Sequence, residues 1–394
     1  MEKKITIGLF NDSFFPMADG VLMVVDNYAR RLSQYADVIV FVPKYLGKDF
    51  DDSTLPYKVV RSYALKVPFL DYSLPIPKLD HKFMKELDKY HLDIVHIHSP
   101  FTMGMAGLSY AKKHHIPCVA TMHTQFKQDI QRFVHSDVLA TKLNNNLIKV
   151  FNKCDECWAV NDATAHIFYE DYGYKTLPRI IENATEMQPI KDEKRAINYI
   201  NKKHNIKKHE KVFLFVGRIN LLKNIIFIAD SLKAVKDKDP KLKFKMLYVG
   251  NGQDLEKLEE HVKAIGLEDD VIMCGRIMDR YELACYYKRA DLFLFPSVYD
   301  TSGIVRIEAA SQSTPGIFLK DTATASTITE NVNGFLSDYT VGAFSDKIIE
   351  VMHDKYLYDK VSRNAFIDLY KTWEEQVDKS YEIYLELIKN KKNK

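Results

Sequence analysis

The chain has 394 residues, which is enough for two domains of ordinary size, each with a core of its own. Its formal net charge of +3 excludes the strong positive field of most nucleic-acid-binding proteins, so no nucleic-acid partner is expected. No apolar run approaches the roughly 20 residues of a membrane-spanning helix. The five cysteines are odd in number and lie mostly in apolar surroundings, which favours a reduced compartment. We therefore expect a cytoplasmic protein whose membrane contact, if it has one, is peripheral.

In the first half of the chain, short apolar runs alternate with segments of helical period. Strands are predicted at residues 5–10, 37–42, 94–98, 117–121 and 157–160, and helices at 21–32, 103–114 and 162–169. Strands that alternate with helices predict a parallel, doubly wound sheet. This N-terminal α/β domain is expected to span residues 1–187.

A second alternating series follows residues 191–210, a Lys-, Asn- and Glu-rich segment that is interpreted as a linker with a helical part. Its strands are predicted at 212–216, 243–249, 271–274, 292–295 and 316–319, and its helices include 224–234 and 253–265. The linker and this second Rossmann-like domain are assigned to residues 188–370. The remaining residues, 371–394, hold an amphipathic helix at 372–388, expected to cross back onto the first domain, and a basic tail.

The segment 290–310 has the order strand, loop and helix N-terminus. Its apolar run ends at Pro296, and Thr301, Ser302 and Gly303 are typical N-cap and loop residues. A helix N-terminus at the carboxyl edge of a parallel sheet can bind an anion, here through the backbone of Gly303 and Ile304.

Two carboxylates flank this loop. Asp300 lies in the loop and Glu308 in the helix, and both are suited to accepting hydrogen bonds from sugar hydroxyls. The alternative interpretation is a surface acid together with a helix acid that the macrodipole favours.

Three other predicted strands end in glycine. Arg218 follows the first, and Lys223 precedes the next helix, so the two cations could neutralise a diphosphate and stabilise it as a leaving group. Gly250 opens a short Gly-Asn-Gly turn, which is a weak nucleotide-binding signal. The backbone of Arg276 and Ile277 could meet a nucleobase edge. Solvated cations at strand ends are the alternative.

Taken in order, these features resemble the family 4 retaining glycosyltransferases. Val-Gly-Arg218 with Lys223 resembles that family's V-G-R-x-x-x-x-K segment, and Asp300 to Glu308 resembles its E-x7-E motif. Further matches lie at 16–21, 96–98, 121–124, 181–185, 333–336 and 373–375. The resemblance implies the GT-B fold, in which two Rossmann-like doubly wound domains face across a cleft. The donor would be bound mainly by the second domain and the acceptor by the first.

The resemblance also implies roles in the second domain. Arg218 and Lys223 would hold the diphosphate of a nucleotide sugar, Glu308 would accept from the ribose hydroxyls, and Asp300 would face the transferred sugar. Asp300 departs from the family's glutamate by one methylene, and Leu222 stands where the family often has glutamate.

In the first domain, the resemblance implies that His123 contacts the transferred sugar and that Gly20 lets the backbone approach the phosphates. The configuration at the anomeric carbon would be retained, with the departing phosphate as base for the acceptor hydroxyl. Because the sequence has no convincing D-x-D pair, neither a metal nor another cofactor is expected.

Two segments of the first domain predict the acceptor. Residues 124–133 mix aromatic side chains with cations, and residues 67–77 form an apolar loop. Together they resemble bacterial transferases that glucosylate diacylglycerol at the inner membrane face. Cations there would favour an anionic lipid surface by about 1 kcal/mol each. The alternative is a packed loop beside a solvated basic helix.

The expected reaction moves a hexose, glucose, from a UDP-sugar to diacylglycerol or a glycolipid. An alternative in the same class is transfer to a soluble or cell-wall saccharide, which needs no lipid. A nucleotide-sugar-binding protein without transferase activity is suggested only by Asp300. A dinucleotide oxidoreductase is disfavoured because neither half opens with a complete glycine fingerprint.

Overall fold

A computed structural model describes residues 4–17, 19–47, 50–66, 73–127, 130–131 and 136–393. The chain forms two compact units. The first contains Met1–Asn183 together with Thr372–Lys394, and the second contains Ala184–Lys371. The boundary thus follows residue 183, where the sequence prediction had residue 187.

The first unit is built on a mostly parallel sheet. In the described residues the strand order is β4-β3-β2-β1-β5-β6-β7-β8, and only β3 and β4 pair antiparallel. Its strands are β1 (Thr6–Phe10), β2 (Asp37–Lys44), β3 (Lys58–Lys66), β4 (Ser73–Pro75), β5 (Ile94–Ile97), β6 (Cys118–Met122), β7 (Glu156–Ala159) and β8 (Arg179–Ile180). The strand order reverses between β1 and β5, which makes the carboxyl ends of these two strands a topological switch point.

Helices flank this sheet. They are α1 (Gly20–Leu32), α2 (His81–Leu87), α3 (Thr102–His114), α4 (Asp137–Phe151) and α5 (Asp162–His166), and a π-helical turn follows at Ile167–Asp171. Asp19 caps α1, because its Oδ1 accepts a hydrogen bond from Leu22 N at 2.7 Å. Ser136 caps α4 in the same way, through Leu139 N at 3.4 Å.

The second unit has an all-parallel sheet in the described residues, with strand order β11-β10-β9-β12-β13-β14. Its switch point lies between β9 and β12. The strands are β9 (Lys211–Val216), β10 (Phe244–Val249), β11 (Val271–Gly275), β12 (Leu292–Phe295), β13 (Gly316–Leu319) and β14 (Phe335–Ser337). The helices are α6 (Glu193–Lys203), α7 (Ile225–Lys238), α8 (Leu255–Ala264), α9 (Arg280–Arg289), α10 (Ile304–Ser311), α11 (Val341–His353) and α12 (Lys355–Leu369).

The segment interpreted as a linker with a helical part lies within the second unit, and its helical part packs into the core of that unit. Residues 193–203 form α6, and its Ala196 and Ile200 are buried in the core of this unit. Lys203 pairs with Glu282 of α9 at 2.5 Å. Because Ala196 and Ile200 are four residues apart, they lie on the same face of the helix. This face packs against the core of the second unit, although most other residues of the helix are polar.

The C-terminal helix α13 (Trp373–Lys392) packs on the first unit. A capping box formed by Thr372 and Glu375 starts the helix. Ser380 Oγ lies 2.9 Å from the Tyr28 hydroxyl of α1, and the Tyr384 hydroxyl lies 2.5 Å from His96 Nδ1. These contacts bind the end of the chain into the core beneath the first switch point.

Candidate functional site

The loop after β9 occupies one side of the second unit's switch point. Arg218 is exposed there, and a 3₁₀ turn at Leu221–Lys223 leads to Asn224, which has left-handed φ of 56° and precedes α7. The Asn224 side chain donates to Pro296 O at 2.7 Å, which joins this loop to the one after β12. The two predicted cations therefore lie on a loop that is fixed against the neighbouring strand's loop.

The predicted glycine turn after β10 packs against this loop backbone to backbone. Gly250 has φ of +146°, and a Cβ there would lie 1.8 Å from Gly217 O. A Cβ on Gly252 would lie 2.1 Å from Ile219 O. Ile219 N in turn donates to Asn251 O at 3.0 Å. Packing within the protein thus explains why these two positions are glycine, since a side chain at either would keep the two loops apart.

The loop after β12 brings Asp300 to Lys223. Lys223 Nζ donates to Asp300 Oδ1, and the two side chains are only 14% and 19% exposed. The ammonium also lies 5.8 Å from the ring centroids of both Phe295 and Tyr299. Asp300 Oδ2 is buried and has no hydrogen-bond partner among the described residues. The sequence prediction brought these residues to one site but did not anticipate that they pair with each other.

The helix α10 begins at Gly303 rather than at a side-chain cap. Gly303, one of the three residues predicted as N-cap and loop residues, is the N-cap; it has φ of +54° and makes no side-chain cap bond. Arg306 N donates to Gly303 O at 2.8 Å, which closes the first turn. The Gly303 and Ile304 backbone lies at the start of this helix, as predicted, beside the Asp300 loop.

Glu308 is buried within α10 and bound by two donors. Arg280 Nη2 lies 2.5 Å from Glu308 Oε1, and the Tyr287 hydroxyl donates to Oε2 at 2.9 Å. Burial, and after it the Glu308 charge, raises the pKa of Tyr287 well above its ordinary value, so this hydroxyl stays a donor. Sequence reasoning missed Arg280 and Tyr287, since both belong to α9 and no local pattern marks them.

Arg276 and Ile277 follow β11, one strand further from the switch point. Gly275 has φ of +68° and accepts from Gly250 N at 2.9 Å, which ties the tip of β11 to the loop after β10. Arg276 is exposed, whereas Ile277 packs against the core of the unit. The backbone of Arg276 and Ile277 therefore lies next to the glycine turn. Its binding of a nucleobase stays a prediction.

In the first unit, Gly20 is the first residue of α1. A Cβ added there would meet no atom of the described residues within 4 Å, and the residue is exposed. Neither the packing nor a positive φ requires glycine at this position. The predicted approach of a phosphate to this backbone stays a prediction.

Three histidines are buried at the first switch point, near the ends of β5 and β6. His98 Nδ1 lies 3.1 Å from His123 Nε2, and His96 Nε2 lies 2.7 Å from Thr121 Oγ1. Burial lowers the pKa of His123 to about 3 and, together with the neighbouring imidazoles, lowers those of His96 and His98 well below their ordinary value. All three are uncharged at neutral pH, so His123 offers a neutral surface.

Asp12 is a residue of this switch point that sequence reasoning missed. It accepts from Met103 N at 2.9 Å and from Ser99 Oγ at 2.5 Å, and so caps α3, whose own N-cap Phe101 makes no side-chain cap bond. The Asn-Asp pair directly after β1 was the available signal. Asp12 fixes the β5–α3 loop that follows His98.

Both acceptor segments lie partly outside the described residues. Residues 67–72 of the apolar loop, and 128–129 and 132–133 of the basic aromatic segment, are not described. The helix that follows, α4, exposes three apolar side chains: Val138 (81%), Leu139 (45%) and Leu143 (39%). Lys142 and Lys149 lie on the same helix and are exposed.

Two general properties follow from the described part of the chain. It contains no helix long and apolar enough to cross a membrane. Nor does it contain a cluster of three or more His, Cys, Asp or Glu side chains that could hold a metal ion.

The two switch-point units have the GT-B fold. The fold matches that of sucrose-phosphate synthase from Thermosynechococcus elongatus with a TM-score of 0.78 at 21% identity, over 98% of this chain and 100% of that one. The family model "Glycosyltransferase Family 4" matches residues 18–188, and "Glycosyl transferases group 1" matches residues 197–367. The chain belongs to the family 4 glycosyltransferases, as its motifs predicted.

Two relatives are similar over most of the chain. The alpha-monoglucosyldiacylglycerol synthase of Streptococcus pneumoniae is 27% identical over 79% of this chain and 70% of its own length. The enzyme of the same name from Acholeplasma laidlawii is 25% identical over 98% of both chains. The predicted resemblance to glycolipid synthases is therefore confirmed at the level of sequence similarity.

Proposed function

We propose that this protein transfers glucose from UDP-glucose, with retention of configuration, to diacylglycerol or a glycolipid at the inner face of the cell membrane. One observation carries the proposal more than any other. Arg218, the Lys223–Asp300 pair and Glu308 lie on the loops and helix at the second unit's switch point, where α/β sheets bind ligands.

In the proposed reaction, Arg218 and Lys223 neutralise the diphosphate as the bond between the anomeric carbon and the phosphate oxygen breaks. The acceptor oxygen bonds to that carbon on the face the diphosphate leaves, and its proton passes to the departing phosphate. Asp300 holds hydroxyls of the glucose, which is supported by its Oδ2 having no hydrogen-bond partner among the described residues. Neither a metal nor another cofactor takes part in this scheme.

The remaining site predictions complete the proposal. Gly250, Arg276 and Ile277 are assigned to the nucleoside end of the donor, and the Gly303–Ile304 backbone to a phosphate oxygen. Gly20 and His123 belong to the first unit, and their assignments, to the phosphates and to the transferred sugar, remain predictions.

The lipid acceptor is supported by the first unit and by the relatives. The S. pneumoniae and A. laidlawii relatives are named as synthases of a glucosyldiacylglycerol. The apolar face of α4 formed by Val138, Leu139 and Leu143, with Lys142 beside it, suits shallow contact with an anionic lipid surface. We therefore propose peripheral attachment through this helix.

Transfer is tested with purified protein, UDP-glucose and vesicles that contain dioleoylglycerol. We expect a glucosyl lipid whose anomeric proton coupling in NMR reports the α configuration, formed faster in phosphatidylglycerol than in phosphatidylcholine vesicles. Transfer to soluble saccharides without lipid, and none to diacylglycerol, would instead support the saccharide transferase. Donor binding without transfer or hydrolysis would support a non-catalytic binding protein.

Membrane attachment is tested by co-sedimentation with the same vesicles. The double variant V138S/L139S is expected to lower the bound fraction several-fold, since about 0.8 kcal/mol is lost per CH₂ withdrawn from lipid. The matched control is I367S, which changes an apolar side chain of the second unit that is 70% exposed. Equal loss in both variants would contradict attachment through α4.

A further inference from the structure

The carboxylate of Glu308 is held by two donors on one neighbouring helix. Glu308 is 5% exposed, and its two oxygens are engaged separately by Arg280 and Tyr287, both on α9. An ionised carboxylate offers about four acceptor positions, so two such bonds leave room for about two more. That remaining capacity matches the two hydroxyls of a ribose.

Arg280 lies between two carboxylates. Its Nη2 binds Glu308, while its Nε lies 3.0 Å from Glu186 Oε1, an ion pair whose alignment is not that of a hydrogen bond. The Arg280 side chain is 41% exposed, whereas that of Glu308 is 7% exposed. The buried acid therefore depends on Arg280 for its counter-charge, and Glu186 restrains the guanidinium from the other side.

We infer that Arg280 is a positioning residue that fixes the plane and charge of Glu308 so that this carboxylate can accept from the ribose diol of the donor. The inference rests on the proposed function, in which Glu308 binds ribose. Arg280 acts through Glu308 and has no assigned contact with the sugar or the diphosphate. Tyr287 holds the second oxygen, so loss of Arg280 leaves the acid in place but free to rotate.

The test compares UDP with 2′-deoxyUDP by calorimetric titration of the full chain. The wild type is expected to bind UDP roughly 10- to 100-fold more tightly than 2′-deoxyUDP, because this is the factor that one hydrogen bond to a charged group supplies. In R280M, which keeps an apolar stem of similar length, UDP binding weakens while 2′-deoxyUDP binding barely changes. The ratio of the affinity for UDP to that for 2′-deoxyUDP therefore falls toward one in R280M. In R280K this ratio is expected to lie between the R280M and wild-type values.

A matched control separates positioning from folding. Arg289 ends the same helix and is 10% exposed, and it binds Asp291 and Asn201 away from Glu308. R289M is expected to lower the melting temperature at least as much as R280M and to leave the ratio of the two affinities unchanged. Circular dichroism confirms that each variant is folded before titration.

The outcomes distinguish this inference from the proposed function. An R280M ratio equal to that of the wild type, while E308Q abolishes it, overturns the role of Arg280 and leaves ribose binding by Glu308 intact. Equal weakening of both nucleotides in R280M also overturns it, since that indicates general loss of attraction. If the wild type binds UDP and 2′-deoxyUDP equally, or if E308Q leaves the ratio of the two affinities unchanged, the assignment of Glu308 to the ribose is overturned.

Discussion

The two units place different chemistry at equivalent points of similar sheets. At the switch point of the first unit, three imidazoles are buried together and carry no charge at neutral pH. At that of the second unit, two carboxylates are each matched by a cation, Asp300 by Lys223 and Glu308 by Arg280. The second unit therefore presents balanced ion pairs beside the exposed Arg218, whereas the buried side chains at the first switch point are uncharged.

The glycines repeat this difference. Gly250 in the second unit is required by the chain itself, because a side chain there would strike the Gly217 carbonyl. A Cβ on Gly20 in the first unit would meet no described atom within 4 Å. A glycine that the fold needs and a glycine that only a ligand would need should respond differently to the same substitution.

The largest expected effect is that of Gly250→Ala on stability. The new methyl group overlaps backbone at 1.8 Å and φ is +146°, so the loops must separate, which should cost about 3 kcal/mol or more. Thermal unfolding followed by far-ultraviolet circular dichroism measures the loss. Gly342→Ala is the control in the same unit, because a Cβ there meets nothing within 4 Å. Equal melting temperatures for the two variants would contradict the close approach.

Acidification should destabilise the first unit. An imidazole whose folded pKa is depressed takes up no proton as the pH falls through about 6.5, whereas the unfolded chain does, so stability is lost below that pH. Each histidine contributes up to about 1.4 kcal/mol per pH unit between 6.5 and 5. Burial raises the pKa of the half-buried Asp12, so the protonation of this carboxyl acts on stability in the opposite sense.

Tryptophan fluorescence reports this change selectively. The chain has two tryptophans, Trp158 and Trp373, and both are buried in the first unit. We expect their unfolding midpoint in urea to fall steeply from pH 7 to pH 5. A midpoint that stays constant over this range would show that the histidines are not held neutral.

The third prediction concerns Asp300→Asn. Removing the carboxylate frees Lys223, so UDP binding should stay equal or become up to several-fold tighter. Transfer should slow by about 10- to 100-fold because a charge-assisted contact to the sugar is lost. Asp270→Asn, which breaks the exposed Lys236–Asp270 pair at 2.7 Å, should change neither quantity. Weaker UDP binding in D300N would contradict the expectation that the ion pair with Asp300 competes with the diphosphate for Lys223.

The smallest expected effect on stability is that of Gly20→Ala. The methyl group meets no described atom at this helix start, so the free energy of unfolding should stay within about 0.5 kcal/mol of the wild-type value. Thermal unfolding measures it. The KM for UDP-glucose should nevertheless rise if a phosphate approaches this backbone. An unchanged KM would contradict the assignment of Gly20 to the donor site.

Much of the fold could be predicted because buried parallel strands read as continuous apolar runs. The prediction for β12, residues 292–295, matches its observed bounds, and that for α3 differs by one residue at its start. The strand β3 was missed because charged residues interrupt it, as in Lys58–Lys66, and β14 has only three residues. For α6 a helical part was predicted, but its packing into the core was not, because the polar composition of the segment hides its two buried positions, Ala196 and Ile200.

The candidate site could be predicted only as single residues. Lys223 and Asp300 are 77 positions apart, and Arg280 and Glu308 are 28 apart. Their pairing depends on which strands are neighbours in the sheet, and no local pattern carries that information. The motifs therefore located the acids and cations, while their electrostatic partners required the fold.

The most direct measurement of the central claim is calorimetric titration of UDP into the wild type and into Arg218→Ala. If the cations of the second unit hold the diphosphate, the variant should bind roughly 10-fold or more weakly while its melting temperature without ligand is unchanged, since Arg218 is exposed. Equal affinities in the two proteins would contradict the claim, and the nucleotide sugar would have to bind elsewhere.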